Sequence, residues 1–245
     1  MKKRASIMAI VTAAALLGAI AVYIFNSRRS AEPIELSRER YPISGLDFSS
    51  HNGVIDFDRL VDDSIDFVIL KATEGTTFKD PRFNANYRNA RRAGIPVIGV
   101  YHFFRFDTDG EMQAINLISS LQGKTVDMPL VIDLEEWTNP ADIYTHEVVG
   151  RLNSMINYIE SNGYTVMFYT NKDGYQRFIR EHFKTYPLWI CSFSDPPLGQ
   201  ADDDAWQLWQ YSHRGWVSAC GTPVDLNTFN GSRQQWEQWL RSSTF

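Results

Sequence analysis

The regular alternation of short apolar runs with helix-like stretches most narrows the folds open to this chain. Runs rich in β-branched and aromatic residues recur at 43–48, 67–72, 97–103, 128–135 and 165–169, and the segments between them, near 57–62, 81–93, 110–121, 143–161 and 174–182, carry helix signals. Pro81 suits a first helical turn and Gly94 a helix stop. Near-continuous apolar strands separated by helices define a mostly parallel sheet covered on its faces. From residue 187 the rhythm changes: 187–191, 205–211 and 222–227 read as three short strands joined by loops, with one last short helix at 233–240. Eight strands fit a closed sheet. The expected fold is therefore α/β, an irregular TIM-like β/α barrel with regular β/α units first and few helices at its C-terminal end.

The first 29 residues stand apart from this pattern. Lys2, Lys3 and Arg4 precede an uncharged apolar stretch at 5–25, and Arg28 and Arg29 follow it. That stretch is long enough to cross a bilayer as a helix. A cleavable signal peptide has the same basic start, and Ala19-Ile20-Ala21 offers a small-residue cleavage site. Both readings export the remainder, to the periplasmic or cell-wall side, either anchored in the cell membrane or secreted; in the anchored form the basic start keeps the N-terminus cytoplasmic. The expected organisation is an anchor or signal segment at 1–29, a linker at 30–41 and one large domain at 42–245.

Charge and cysteine usage exclude several roles. The formal net charge is −5, and five of the 24 basic residues but none of the 29 acidic ones lie in the first 29, leaving −10 on the rest. An acidic body is a poor nucleic-acid binder. An anionic polymer would have to be held by shape, hydrogen bonds and aromatic stacking. Cys191 and Cys220 are the only cysteines and lack metal-ligand spacing. In an oxidising compartment they either pair or remain two buried small apolar residues. No metal or cofactor is implied.

The run from Met128 to Trp137 ends in two carboxylates, Asp133 and Glu135. On a strand they project from one face, about 6.5 to 7 Å apart along the chain. At the C-terminal end of a barrel strand they stand where catalytic groups collect. Paired carboxylates serve glycoside hydrolysis, one protonating the leaving oxygen and one supporting positive charge at the sugar carbon. An isolated Asp-x-Glu is more often a solvated strand end, so its neighbours decide. Other strands bring Asp47, Lys71 with Glu74, Tyr101, Tyr169, Trp209, and finally Asp225 with Asn227. In a barrel these converge on one mouth and combine acids with aromatic faces, as sugar sites do.

Six segments in order, Gly45-Leu46-Asp47-Phe48-Ser49-Ser50-His51-Asn52-Gly53, Phe67 to Gly75, Gly99-Val100-Tyr101-His102-Phe103, Asp133-Leu134-Glu135, Trp209-Gln210-Tyr211-Ser212 and Val224-Asp225-Leu226-Asn227, resemble the motifs of the family 25 glycoside hydrolases, the N-acetylmuramidase type of lysozyme. The resemblance implies an irregular α/β barrel, a catalytic domain at 42–245 and cleavage of the β-1,4 bond between N-acetylmuramic acid and N-acetylglucosamine in peptidoglycan. It assigns the family's acids to Asp47, Asp133, Glu135 and Asp225. Glu135 would be the general acid, kept protonated by its acidic neighbours, while Asp133 stays charged. Either the substrate's own 2-acetamido group, oriented by Asp133, attacks the sugar carbon, or an activated water does.

Tyr101, Tyr169 and Trp209 match groove positions, although strand aromatics are as often core. Lys71 and Glu74 either meet substrate or form a structural ion pair, and Asn227 is grouped with the substrate-binding residues. His102 reads as an interior histidine and Asp109 as a helix cap. Asn52 stands where many relatives carry glutamine, one methylene shorter. The implied partners are peptidoglycan glycan strands and, through the N-terminal segment, the membrane; a monomer is expected. With no wall-binding repeat and an anchor in its place, local wall remodelling is the implied role. The competing expectation is a catalytically silent peptidoglycan-binding module, against which the presence of all four acids argues.

Overall fold

The computed structural model describes residues 34, 36–195, 197–198 and 206–243. The apolar segment 5–25, and with it the expected anchor or signal, lies outside the described residues. Among those residues no helix is long and apolar enough to cross a membrane.

Nine strands form, β1 (Ser44–Phe48), β2 (Phe67–Glu74), β3 (Phe78–Lys79), β4 (Val97–Phe103), β5 (Leu130–Asp133), β6 (Val166–Asn171), β7 (Leu188–Cys191), β8 (Leu208–Gly215) and β9 (Val224–Phe229). Their order is β1-β9-β8-β7-β6-β5-β4-β2-β3, and a further β1–β2 pairing closes eight of them into a barrel. All eight expected strands are present. The two-residue β3, which the sequence pattern does not announce, hangs antiparallel on the end of β2.

The sheet is mostly parallel, as expected, and β9 is the barrel strand that departs from it. Seven strands run parallel, whereas β9 is antiparallel to both β8 and β1. The reason lies in the connection. Residues 216–223 contain no helix to carry the chain back to the far end, so the next strand returns beside β8 as antiparallel pairing allows. Asp225 consequently stands at the start of its strand and still reaches the mouth.

Helices α1 (Phe57–Asp62), α2 (Phe83–Ala93), α3 (Gly110–Ser120) and α4 (Thr145–Ser161) cover the outside. Gly94 stops α2 in the left-handed conformation at φ 84°, and Asp109 caps α3 by accepting from Met112 N at 2.9 Å. After β6 come two short α turns, α5 (Lys172–Gly174) and α6 (Arg180–His182), flanking a π turn at Tyr175–Ile179. The last helix, α7 (Arg233–Ser243), closes the end opposite the mouth: Trp236 packs on Phe67 with tilted rings at 5.3 Å and edge-on against Phe229 at 5.1 Å. Gly45 on β1 makes room for the Phe67 ring, which any Cβ there would overlap. Both cysteines are free, which resolves the open pairing question in favour of two separate thiols.

Candidate active site

The β5 ladder ends at Asp133, so Glu135 lies two residues beyond the strand expected to carry it. Main-chain pairing runs on through Leu134, whose N–H donates to Tyr169 O at 2.8 Å. Asn139 then pins the turn: its Nδ2 donates to Phe104 O (2.9 Å) and Glu135 O (2.8 Å), and its Oδ1 accepts from Phe106 N (2.8 Å). Arg177 holds the Glu136 carboxylate and donates to Ile143 O. Thr138, a β-branched residue at φ 59°, is the local strain this arrangement carries.

Inside the mouth is a cavity of about 180 Å³. At ~30 Å³ each that is the room of about six waters, on the scale of a single saccharide unit. Asp47, Asp133, Glu135 and Asp225 all line it, with walls of Tyr101, Tyr169 and Trp189 and with Gln210 beside them. Register explains the convergence. Asp47 lies directly across from Asp225 in the β1–β9 pair, and Asp133 across from Tyr169 in the β5–β6 pair. Of the four acids, only Glu135 also borders a second, more open depression of about 540 Å³, whose walls include Asn171, Lys172 and Phe193.

Among the described residues no salt bridge reaches the four carboxyl groups, and burial raises every one. Asp47 is pushed up to about 6 by burial, against hydrogen bonds from Asn227 and Gln210 that favour its charge. Asp225 is pushed up to about 8 by burial and then by Asp47 and Glu135. Glu135 is raised by burial and by the Asp47 charge. Asp133 is driven well above the usual carboxylate range, first by burial and then by Glu135, with Lys71 opposing. Burial thus acts on Asp133 as it does on Glu135, against the expected contrast of a neutral Glu135 and a charged Asp133. Asp133 is 5% exposed, and its Oδ1 has no hydrogen-bond partner among the described residues, so its neutral form is favoured as well.

Several sequence-derived site residues stand elsewhere. Trp209 does not line the cavity: it faces out of the barrel, fully buried, packing on Tyr41 and Trp206 and donating from its indole to Ser192 O at 2.7 Å. Trp189 takes the position expected of it. Lys71 and Glu74 are outside the lining and form the 2.9 Å ion pair of their alternative reading, with Arg105 at 3.8 Å from Glu74. Asn227, 1% exposed, lies below the cavity and donates to Asp47 Oδ2 at 2.8 Å. His102 is an interior histidine between Thr73 Oγ1 (2.7 Å) and Gln113 Oε1 (3.1 Å), and burial lowers its pKa to about 4. The shorter Asn52 still closes its local bond, accepting from Ser49 N at 2.9 Å. Sequence reasoning missed Trp189 and Gln210. Strand alternation holds the signal for Gln210, because Leu208 faces the core and the residue two further on shares its face.

A closed barrel with clustered carboxylates and aromatic walls at the C-terminal face of its parallel strands defines a glycoside hydrolase. The sequence profile described as Glycosyl hydrolases family 25 matches residues 46–220. Lysozyme M1 of Streptomyces globisporus is 32% identical over 203 residues, covering 78% of this chain and 68% of that protein. Protein YegX of Escherichia coli strain K12 is 30% identical over 208 residues, covering 82% and 74%. A family 25 glycosyl hydrolase from Bacillus anthracis superposes with a TM-score of 0.76 at 32% identity, covering 86% of this chain and 98% of that one. The chain belongs to glycosyl hydrolase family 25. The profile match ends before Asp225, which β9 brings to the site by pairing with β1.

Proposed function

We propose that the protein hydrolyses the β-1,4 bond between N-acetylmuramic acid and N-acetylglucosamine in peptidoglycan, with Glu135 as the general acid. The observation that carries this reading is that Glu135, alone of the four acids, borders both the acid-lined cavity and the more open depression. A group that protonates the leaving oxygen must stand between the sugar that is attacked and the sugar that departs. Its raised pKa favours the protonated form that a general acid needs. The orphaned Oδ1 of Asp133 suits an amide N–H donor such as the 2-acetamido group of the sugar. That donor would favour the ionised form of Asp133 and orient the acetamido oxygen toward the sugar carbon, which supports substrate assistance over a directly activated water. Asp47 and Asp225 shape the subsite, and Tyr101 and Tyr169 wall it.

The relatives' names, which include an autolytic lysozyme and N,O-diacetylmuramidases, support a wall substrate. The reading carries the domain at 42–245 as catalytic, acting outside the cytoplasm, joined by 30–41 to a segment at 1–29 that anchors or exports it. All four acids come from one chain, so a monomer suffices. A tethered enzyme remodels the wall locally; if a form without residues 1–30 restores every cellular effect, tethering has no role.

The test is digestion of purified peptidoglycan with the full-length protein in detergent, with the products read by mass spectrometry. Fragments with reducing muramic acid ends are expected, and Glu135→Gln should lower their release by about 10²-fold to 10⁴-fold, the span of general acid catalysis. Wall that is bound but uncut by the unaltered protein would favour the silent binding module.

A further inference from the structure

We propose that Gln210 and Asn227 are positioning residues that decide which oxygen of Asp47 faces the substrate, Asn227 locked in one orientation by Trp189 and Gln210 held against Asp47 by its hydrogen bond with Tyr169. The five residues come from five consecutive strands around the barrel, β6, β7, β8, β9 and β1. Trp189 Nε1 donates to Asn227 Oδ1 at 2.9 Å, and Asn227 Nδ2 donates to Asp47 Oδ2 at 2.8 Å. Tyr169 donates from its hydroxyl to Gln210 Oε1 at 2.8 Å, and Gln210 Nε2 donates to the same Asp47 Oδ2 at 2.8 Å.

The direction of the Trp189–Asn227 chain follows from chemistry. An indole N–H only donates, so the Asn227 atom facing Trp189 is its oxygen and the atom facing Asp47 is its NH₂. An oxygen that receives two N–H donors at 2.8 Å has no place for a proton of its own. Any proton on Asp47 therefore sits on Oδ1. Hydrogen bonds to the charged form of a carboxylate favour that form, and here they oppose the burial that raises Asp47. The Asp47 charge in turn helps hold the proton on Glu135. Side chains that never meet the reacting bond thus act on the general acid through Asp47.

Tyr169→Phe and Trp189→Phe each keep an aromatic ring and remove one donor, freeing one amide to turn away from Asp47. In full-length protein labelled with ¹³C at aspartate carboxyls, with Asp47 assigned by comparison with Asp47→Asn, each variant should raise the Asp47 titration midpoint by about one pH unit. This arm needs no turnover. Where the variants are active on peptidoglycan, which rests on the proposed function, the acid limb of kcat/KM should move to higher pH by the same amount. An unmoved Asp47 midpoint in both variants overturns the proposal, whatever happens to the rate. An inactive unaltered protein whose midpoint shifts as expected leaves the relay standing and removes the muramidase reading instead. Should a ring variant fail to fold, Gln210→Glu sets an acceptor against Oδ2 and must raise the Asp47 midpoint further; no rise there overturns the proposal too.

Discussion

The acids of the mouth set a conflict between stability and activity that single substitutions expose. Burial and its acidic neighbours push Asp225 up to about 8 in the folded state, from an ordinary value of 3.8. Because the folded value is the higher one, the stability it contributes is present below about pH 4 and is lost as pH rises toward about 8. Asp225→Asn should therefore match the unaltered protein at pH 4 and melt several degrees higher at pH 8, on the scale of ~2 to 4 °C per kcal/mol for a domain of this size, while losing activity. Thermal melts across that window check it. His102 works in the opposite sense: held neutral with a pKa of about 4 against 6.5, it contributes stability above pH 6.5 that is lost as pH falls toward 4. The four acids were legible in the sequence because carboxylates at strand ends are chemically conspicuous. Trp189 was not, since Leu188-Trp189-Ile190-Cys191 is apolar throughout and carries no alternation to say which side faces inward. The choice of Trp209 missed the alternation of its strand, which turns Leu208 and Gln210 inward and Trp209 to the other face.

Among the elements, the turn after β5 governs where Glu135 sits. Asn139 makes three side-chain hydrogen bonds there, two to carbonyls and one from an N–H. Asn139→Ala should cost about 1.5 to 4.5 kcal/mol, from ~0.5–1.5 kcal/mol for each of the three bonds lost, read by urea unfolding. Its kcat should fall more than its KM rises, because the acid loses its place while the cavity walls remain. Strands and helices were legible at nearly every position, since the shift between two-residue and helical periodicity recurs along the chain. The direction of β9, the isolated β3 and the π turn at Tyr175–Ile179 were not. Strand direction is a property of the connection and leaves no mark on the strand's own residues. A π turn differs from an α turn by one inserted residue, which composition does not record.

At the scale of the whole molecule, the barrel is sealed at one end and open at the other. Trp236, 4% exposed, seals it by packing on Phe67 and Phe229. Trp236→Ala should destabilise the protein by about 3 to 5 kcal/mol, the range for large aromatic truncations in a core, with a smaller effect on the catalytic rate of the molecules that stay folded; denaturant melts beside activity per folded molecule would show this. Closure of the ring also sets an order in time. Asp47 sits on the first strand, and the two amides that hold it lie 163 and 180 residues further along. Contacts so distant in sequence form late, because the loop-closure entropy must be met before they reward it. A ribosome releases the first strand long before the last. The growing chain therefore carries Asp47 without its two amides and lacks Asp225, and the hydrolytic site comes into being only once β9 has been made.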